Sequence, residues 1–523
     1  MSDLFELPKA YDPSSVEDGL YARWEASGFF NPDMLPERNQ HGEPYAIMMP
    51  PPNRTGILHM GSATMLALED LMIRFERMRG KKTVWIPGTD HAAIATQVKV
   101  EQLLIKQGMK DPRRELGREK FLERVVEYAD SSAETIRLQV RKMGSSCDWS
   151  RECYTFDDAR NRAVNTLFKM MYDDGIIERG ERLVNWDPQF KTVISDDEIE
   201  WKEETIPFYT FKYGPFEIGT ARPETKFGDK YVVVHPEDVR YAEFKDGQKI
   251  ELEWINGPIT ATVIKDAIID REFGTGAMTI TPWHDMIDYE LAERRGLDKE
   301  QIIDLEGKLL PIAGEEFAGL SILEARKKVV EKLQAKGLIV NVDEKYVHRV
   351  AIAQRGGEMI EPQILRQWFV RVNKTFAVRQ DTLGRWKKGE QVTLKELMQE
   401  AVRSGQTVIN PERFHKIYFH WIDNLRDWCI SRQIWFGHRI PVWYHTASSD
   451  EVQMVCSLES PGEGWEQDQD TLDTWFSSGS WTFSTLGWPD QTSDLNTFHP
   501  TAVLETGHDI IFFWVAPTAS IFF

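Results

Sequence analysis

Pro50-Pro51-Pro52-Asn53-Arg54-Thr55-Gly56-Ile57-Leu58-His59-Met60-Gly61 is the stretch that decides the fold. It follows an apolar run at 45–49 that reads as a short buried strand. It opens onto 62–79, where Leu66, Leu71, Met72, Phe75 and Met78 recur at helical spacing. A second short strand is expected at 83–86, ending in Pro87-Gly88-Thr89-Asp90-His91. Strand, helix and strand in that order make one crossover unit of a parallel nucleotide-binding sheet. The loop before such a helix suits phosphate, because glycine lets the backbone approach closely and the first helical N–H groups and the dipole attract negative charge. A histidine there adds a side-chain donor.

The loop has neither the GxxxxGK[ST] spacing of a P-loop nor the GxGxxG of a dinucleotide loop. It resembles the first signature of the class I aminoacyl-tRNA synthetases, usually written HIGH. PPPN-x-TG before the histidine and GTDHAAIATQ after the second strand are most similar to the valine-specific branch of that family. MGSSCDWS at 143–150, DWCISRQIWFGHRIP at 427–441, DTWFSS at 473–478 and TGHDIIFFW at 506–514 are similar to the same branch. The resemblance therefore runs to about residue 516 and implies an α/β fold, a class I Rossmann-like parallel sheet with an inserted mixed α/β editing domain. A KMSKS-like second signature, an anticodon-binding domain and a coiled-coil arm are not found, and Pro517 to Phe523 depart from the family pattern. The chain is therefore expected to be an N-terminal fragment.

The character of the sequence along the chain agrees. The length of 523 residues allows two to four domains, and 41% hydrophobic with 28% charged residues is the balance of a soluble globular protein. Residues 1–204 are expected to form the first half of the catalytic domain, with Ser14 to Glu17 a capping box and 97–174 rich in charged helices. Residues 205–345 change to short β-type runs at 208–213, 231–235, 259–264 and 278–281, closed by a helix at 320–336, as an inserted domain would. Residues 346–523 are expected to complete the catalytic domain. No apolar run has the length of a membrane span, and Met1-Ser2-Asp3-Leu4 is no secretion signal. Four cysteines without a CxxC pair argue against a structural metal or a disulfide framework and fit a reducing cytoplasm. A formal net charge of −20 speaks against a protein devoted to sequence-independent nucleic-acid binding, and leaves room for a local basic groove.

The resemblance implies ATP with magnesium, valine and tRNA-Val as substrates and partners, in a monomer. His59 and Gly61, with Ser62, would serve catalysis. Gly56, His59, Gly61, Gly507 and Asp509 would bind ATP. Asp90 would hold the substrate ammonium, with Asn53 and the Pro51 backbone at the same mouth and Trp435 and Trp475 walling an apolar pocket. Read alone, Asp90 is equally a helix cap, Asn53 a turn residue and each tryptophan core. Ser62 stands where the family has a second histidine. Losing an aimed donor to transition-state charge typically costs roughly 2.7–4 kcal/mol, so weak activation or compensation elsewhere is expected.

An apolar pocket that accepts valine rejects threonine only about 10²-fold, the value known for valine enzymes, so a second hydrolytic site is implied. Arg222 and Thr225 in Thr220-Ala221-Arg222-Pro223-Glu224-Thr225 resemble its loop. Asp288 would hold the ammonium of the mischarged residue, and Asp285 and Thr281 would read its hydroxyl. Taken singly, Asp285 and Asp288 are residues that favour a helix N-terminus. Thr279 stands where valine enzymes usually place a lysine, which loosens the expectation of threonine specificity. Two other functions compete: a hydrolase in which only the inserted domain works, and a non-catalytic tRNA-binding relative.

Overall fold

Strand Pro44–Met48 lies parallel to strand Lys82–Ile86, in register from Pro44↔Lys82 to Met48↔Ile86, and helix Met60–Met78 makes the crossover. The structure is a computed structural model that describes residues 10–354, 356–445 and 453–521. Met1 to Leu4 and the closing Phe522 and Phe523 lie outside the described residues. The chain divides into two units, Met1–Arg179 with Trp368–Phe523, and Gly180–Gln367.

In the first unit the parallel sheet grows at both edges. Gly88–Thr89 pairs in parallel with Cys153–Tyr154. On the other side Ile47 bridges in parallel to Val503, and Ala502 N–H donates to the Ala46 carbonyl at 2.8 Å. Successive residues face opposite sides. Ala46, Met48, Val84 and Ile86 pack with Trp481 and Phe483, while Ile47, Met49 and Trp85 pack with Leu66, Ile73, Ile136 and Val140. Both faces are covered, which is why these strands read as continuous apolar runs. Helix Pro112–Lys142 supplies Ile136 and Val140 to the second face.

The helical spacing at 62–79 marked the helix but not its buried face. Leu66, Glu69 and Ile73 are buried, whereas Leu71, Phe75 and Met78 are 65%, 53% and 70% exposed. The inward face carries a glutamate: Glu69 Oε2 accepts from Trp85 Nε1–H at 2.8 Å, and burial pushes the Glu69 carboxyl well above the usual range. The capping box expected at Ser14 is also absent. Asp12 caps a short turn at Pro13–Ser15, and the helix that starts at Glu17 has no side-chain cap.

The second unit holds a four-stranded mixed sheet, in the order 249–254, 257–265, 231–234, 277–279, and a three-stranded antiparallel sheet, 339–353, 199–213, 216–220. Phe211, Tyr213, Ile218, Val232, Trp254 and Val263 form its core with Ala325, Val329 and Leu333 of helix Ile322–Ala335. The unit extends beyond the expected 205–345 at both ends. Strands Ile199–Tyr213 and Ile339–Ala353 pair from Ile339↔Phe211 out to Ala353↔Ile199. Most residues of that ribbon are half-buried or exposed, so beyond the run at 208–213 no hydrophobic pattern announced it.

Candidate functional site

Two loops at the C-terminal ends of the parallel strands are laced together. Asp90 N–H donates to Pro52 O and Arg54 N–H donates to Asp90 O, each at 2.8 Å, bridging Asn53 to Asp90. Ligands of open α/β sheets bind at this edge. Asn53 is exposed and Pro51 half-buried, while Asp90 is 5% exposed. Arg54, which the sequence left as a loop residue, is the clamp. It donates to Thr89 Oγ1 at 2.9 Å and to Asp130 Oδ1 at 3.0 Å, and its guanidinium lies 3.4 Å from the Tyr154 ring centroid.

Asp90 is held from behind. Thr155 Oγ1 gives its proton to Asp90 Oδ1 at 2.7 Å, and Thr155 Oγ1 itself accepts from His91 N–H at 2.9 Å and from His91 Nδ1–H at 2.8 Å. Thr155→Val is expected to leave buried partners unsatisfied and to cost about 1–3 kcal/mol in urea unfolding. A loss below about 0.5 kcal/mol, the level of a neutral surface change, would remove Thr155 from this chain.

His59 is the N-cap of helix Met60–Met78, its Nδ1 accepting from Ser62 N–H at 3.3 Å. A neutral ring in that pose carries its proton on Nε2, which makes Nε2–H the donor for an anion at the helix start. A Cβ on Gly61 would lie 2.9 Å from His59 Cε1, so only glycine lets the ring fold over the first turn. Gly56, at φ 145, takes a conformation side chains avoid, beside the bond from Tyr128 O–H to Thr55 O at 2.8 Å.

Gly507 and Asp509 are exposed just beyond the segment that borders strand Pro44–Met48, and a Cβ on Gly507 would lie 2.4 Å from Asp509 Oδ1. The two tryptophans belong to separate clusters. Trp435 meets Phe121 edge-on at 5.6 Å, and Gln97 Oε1 accepts from its backbone N–H at 2.8 Å. Trp475 stacks on Phe513 at 5.9 Å and packs on the Met48 side of the sheet.

A second constellation lies within 180–367. Arg222 donates to Glu224 Oε1 at 3.1 Å and to Glu361 Oε2 at 2.7 Å, and Arg326 forks onto both Glu224 oxygens at 2.9 Å. Burial works to raise Glu224, but Arg222 and Arg326 outweigh it and hold the carboxyl below its ordinary range. His284 Nε2 accepts from Ile302 N–H at 3.0 Å and from Ile303 N–H at 3.3 Å, so its proton sits on Nδ1, 2.8 Å from Glu361 Oε1. Thr225 is buried and gives its hydroxyl proton to the Arg222 carbonyl at 3.0 Å. Glu361 lay beyond the insertion as the sequence bounded it, and nothing local marked it.

The two aspartates of the next helix differ. Asp285 is exposed and caps it, accepting from the N–H groups of Ile287 at 2.8 Å and Asp288 at 3.1 Å. Asp288 is 6% exposed and turned inward, its Oδ2 accepting from Thr281 N–H at 2.7 Å. Burial first, then the Asp285 charge, pushes its carboxyl up to about 7, against the Thr281 N–H and Lys226. A buried carboxylate so poised suits an incoming ammonium group.

Among the described residues no cluster of three or more His, Cys, Asp or Glu is arranged to hold a metal ion, and no helix is long and apolar enough to cross a membrane. The family model "tRNA synthetases class I (I, L, M and V)" matches residues 19–522. The chain is 44% identical over 527 residues to a valine–tRNA ligase of Clostridium acetobutylicum, covering 99% of this chain and 56% of that protein. It is 44% identical over 530 residues to the chloroplastic/mitochondrial valine–tRNA ligase 2 of Arabidopsis thaliana, covering 98% and 51%. Among solved structures, a LeuRS-tRNA-LeuAMS ternary complex of Agrobacterium radiobacter K84 aligns at TM-score 0.46 and 14% identity, over 97% of this chain and 64% of that one. The chain spans about half the length of the curated relatives it matches.

Proposed function

The chain belongs to the class I tRNA synthetases of the isoleucine, leucine, methionine and valine group, and from that membership we propose that it carries the two active sites of a valine–tRNA ligase. The supporting observation is the lacing of Asn53 to Asp90 beside His59 at one sheet edge. In the synthetic reaction a valine carboxylate oxygen bonds to the α-phosphorus of ATP and the bond to pyrophosphate breaks. The ribose hydroxyl at the tRNA 3′ end then attacks the carbonyl and AMP leaves. Asp90 holds the valine ammonium, with Asn53 and the Pro51 backbone at its side. His59 Nε2–H and the free N–H groups at Gly61 stabilise phosphate charge, Ser62 N–H holds the His59 ring, and Gly56, Gly507 and Asp509 make room for and bind the nucleoside. Trp435 and Trp475 shape the apolar side. Catalysis of this kind is positioning and electrostatics. Magnesium enters on the triphosphate's own oxygens. The partners are tRNA-Val, valine and ATP, and the protein acts as a cytoplasmic monomer.

The 180–367 unit hydrolyses mischarged threonyl-tRNA. Water adds to the ester carbonyl, the ester C–O bond breaks and the ribose oxygen takes the proton. Asp288 fixes the ammonium, Thr281 and Asp285 face the side chain, and Arg222 and Thr225 hold the wall.

Calorimetry with non-hydrolysable valyl- and isoleucyl-adenylate analogues tests the synthetic reading. The valyl analogue is expected to bind tighter by at least about 10-fold, since a poorly accommodated methylene is worth about 1–3 kcal/mol. Tighter isoleucyl binding would refute it.

A further inference from the structure

Lys226 is 5% exposed, in the turn that follows Thr225. Its Nζ donates to Thr279 Oγ1 at 3.2 Å and stands 3.5 Å from Asp229 Oδ1, and its backbone carbonyl accepts from Trp254 Nε1–H at 2.9 Å. An ammonium is not buried so deeply unless carboxylates require it. Two do: Asp229 is 3% and Asp288 6% exposed. Thr279 ends the strand Ala277–Thr279, two residues before Thr281, whose N–H holds Asp288. The charged groups that act on Asp288 are Asp285 at its own helix start and, from the 223–229 segment, Lys226 and Asp229. Both aspartates oppose its ionisation and Lys226 favours it. One ammonium thus serves two buried carboxylates.

We infer that Lys226 is a positioning residue that favours the anionic form of Asp288 for the ammonium of an aminoacyl ester, acting from the 223–228 turn against the side chain at position 279. The inference rests on the hydrolase reading of this unit. It also gives Thr279 a part: its hydroxyl accepts from the Lys226 ammonium at 3.2 Å, so a lysine at 279 would bring a cation to the same cluster. Burial and the Asp285 charge push the Asp288 carboxyl up to about 7, and an ammonium beside it would favour the ionised form.

The test uses the whole chain with its aspartates labelled with ¹³C at the carboxyl carbon, Asp288 being assigned by difference from Asp288→Asn. Lys226→Met is expected to raise the Asp288 titration midpoint by about one pH unit or more, the usual effect of losing a neighbouring opposite charge. The acid limb of threonyl-tRNA deacylation should move upward with it. The double substitution Lys226→Met with Thr279→Lys should return both toward the parent. A merely structural lysine would change the amplitude of deacylation and leave the midpoint in place. An unmoved midpoint in Lys226→Met overturns the inference whatever the rate. A moved midpoint in a chain that hydrolyses no aminoacyl ester overturns the hydrolase reading instead.

Discussion

On the proposed hydrolase reading, Asp288→Asn is expected to abolish deacylation of threonyl-tRNA while making the 180–367 unit more stable above pH 7. Asparagine still accepts the Thr281 N–H that reaches Asp288 at 2.7 Å, so the fold keeps its contact and loses only the charge. Without that anion the ester carbonyl is no longer fixed toward water, and misplacement of this kind costs about 10²-fold or more. The stability effect follows from the raised carboxyl. Its pKa climbs from 3.8 to about 7 on folding, so the fold disfavours ionisation, and stability falls as pH rises between those values. Asparagine escapes that loss. Above pH 7 the gain approaches about 4 kcal/mol, at 1.36 kcal/mol per pKa unit, and below the lower value it vanishes. Urea unfolding of both chains at several pH values measures it. A gap that does not widen with pH would contradict the burial argument, and deacylation at the parent rate would show that the site lies elsewhere.

Arg222→Met should cost the same unit about 3–5 kcal/mol, because it strips one partner from a buried ion pair and leaves the other charge uncompensated. Glu361 is fully buried and has Arg222 at 2.7 Å and His284 at 2.8 Å. Glu224, also fully buried, keeps Arg326. The charge left uncompensated in the interior is therefore that of Glu361. The double substitution Arg222→Met with Glu361→Gln should recover more than half of the loss, since glutamine keeps the shape of the side chain and removes the uncompensated charge. Deacylation should fall in both variants, as the 220–225 wall is no longer pinned. If the single substitution costs under about 1 kcal/mol, the pair is screened like a surface bridge and the wall is held by other contacts.

The sequence by itself determined what depends on neighbours along the chain. The strand, glycine loop and helix around His59 follow from periodicity and from the backbone freedom of Gly56 and Gly61. The four β-type runs of the insertion likewise overlap strands Ile199–Tyr213, Tyr231–Val234, Gly257–Lys265 and Ala277–Thr279, the second and fourth running past their strand ends. Asp285 as a cap was legible for the same reason, because a cap acts on the first turn beside it. Only the tertiary structure decided which side of helix Met60–Met78 is buried, since Glu69 inside and Phe75 outside are set by Trp85 and the sheet. It also decided that the second unit runs from Gly180 to Gln367, and that Arg222 meets Glu361 across 139 residues of chain. Thr279 shows the division most clearly. The sequence displayed a missing charge there, and the fold brings the Lys226 ammonium to within 3.2 Å of its hydroxyl. Charge acts through space, so an ammonium reaches a strand residue 53 positions along the chain, and no local pattern records the pairing.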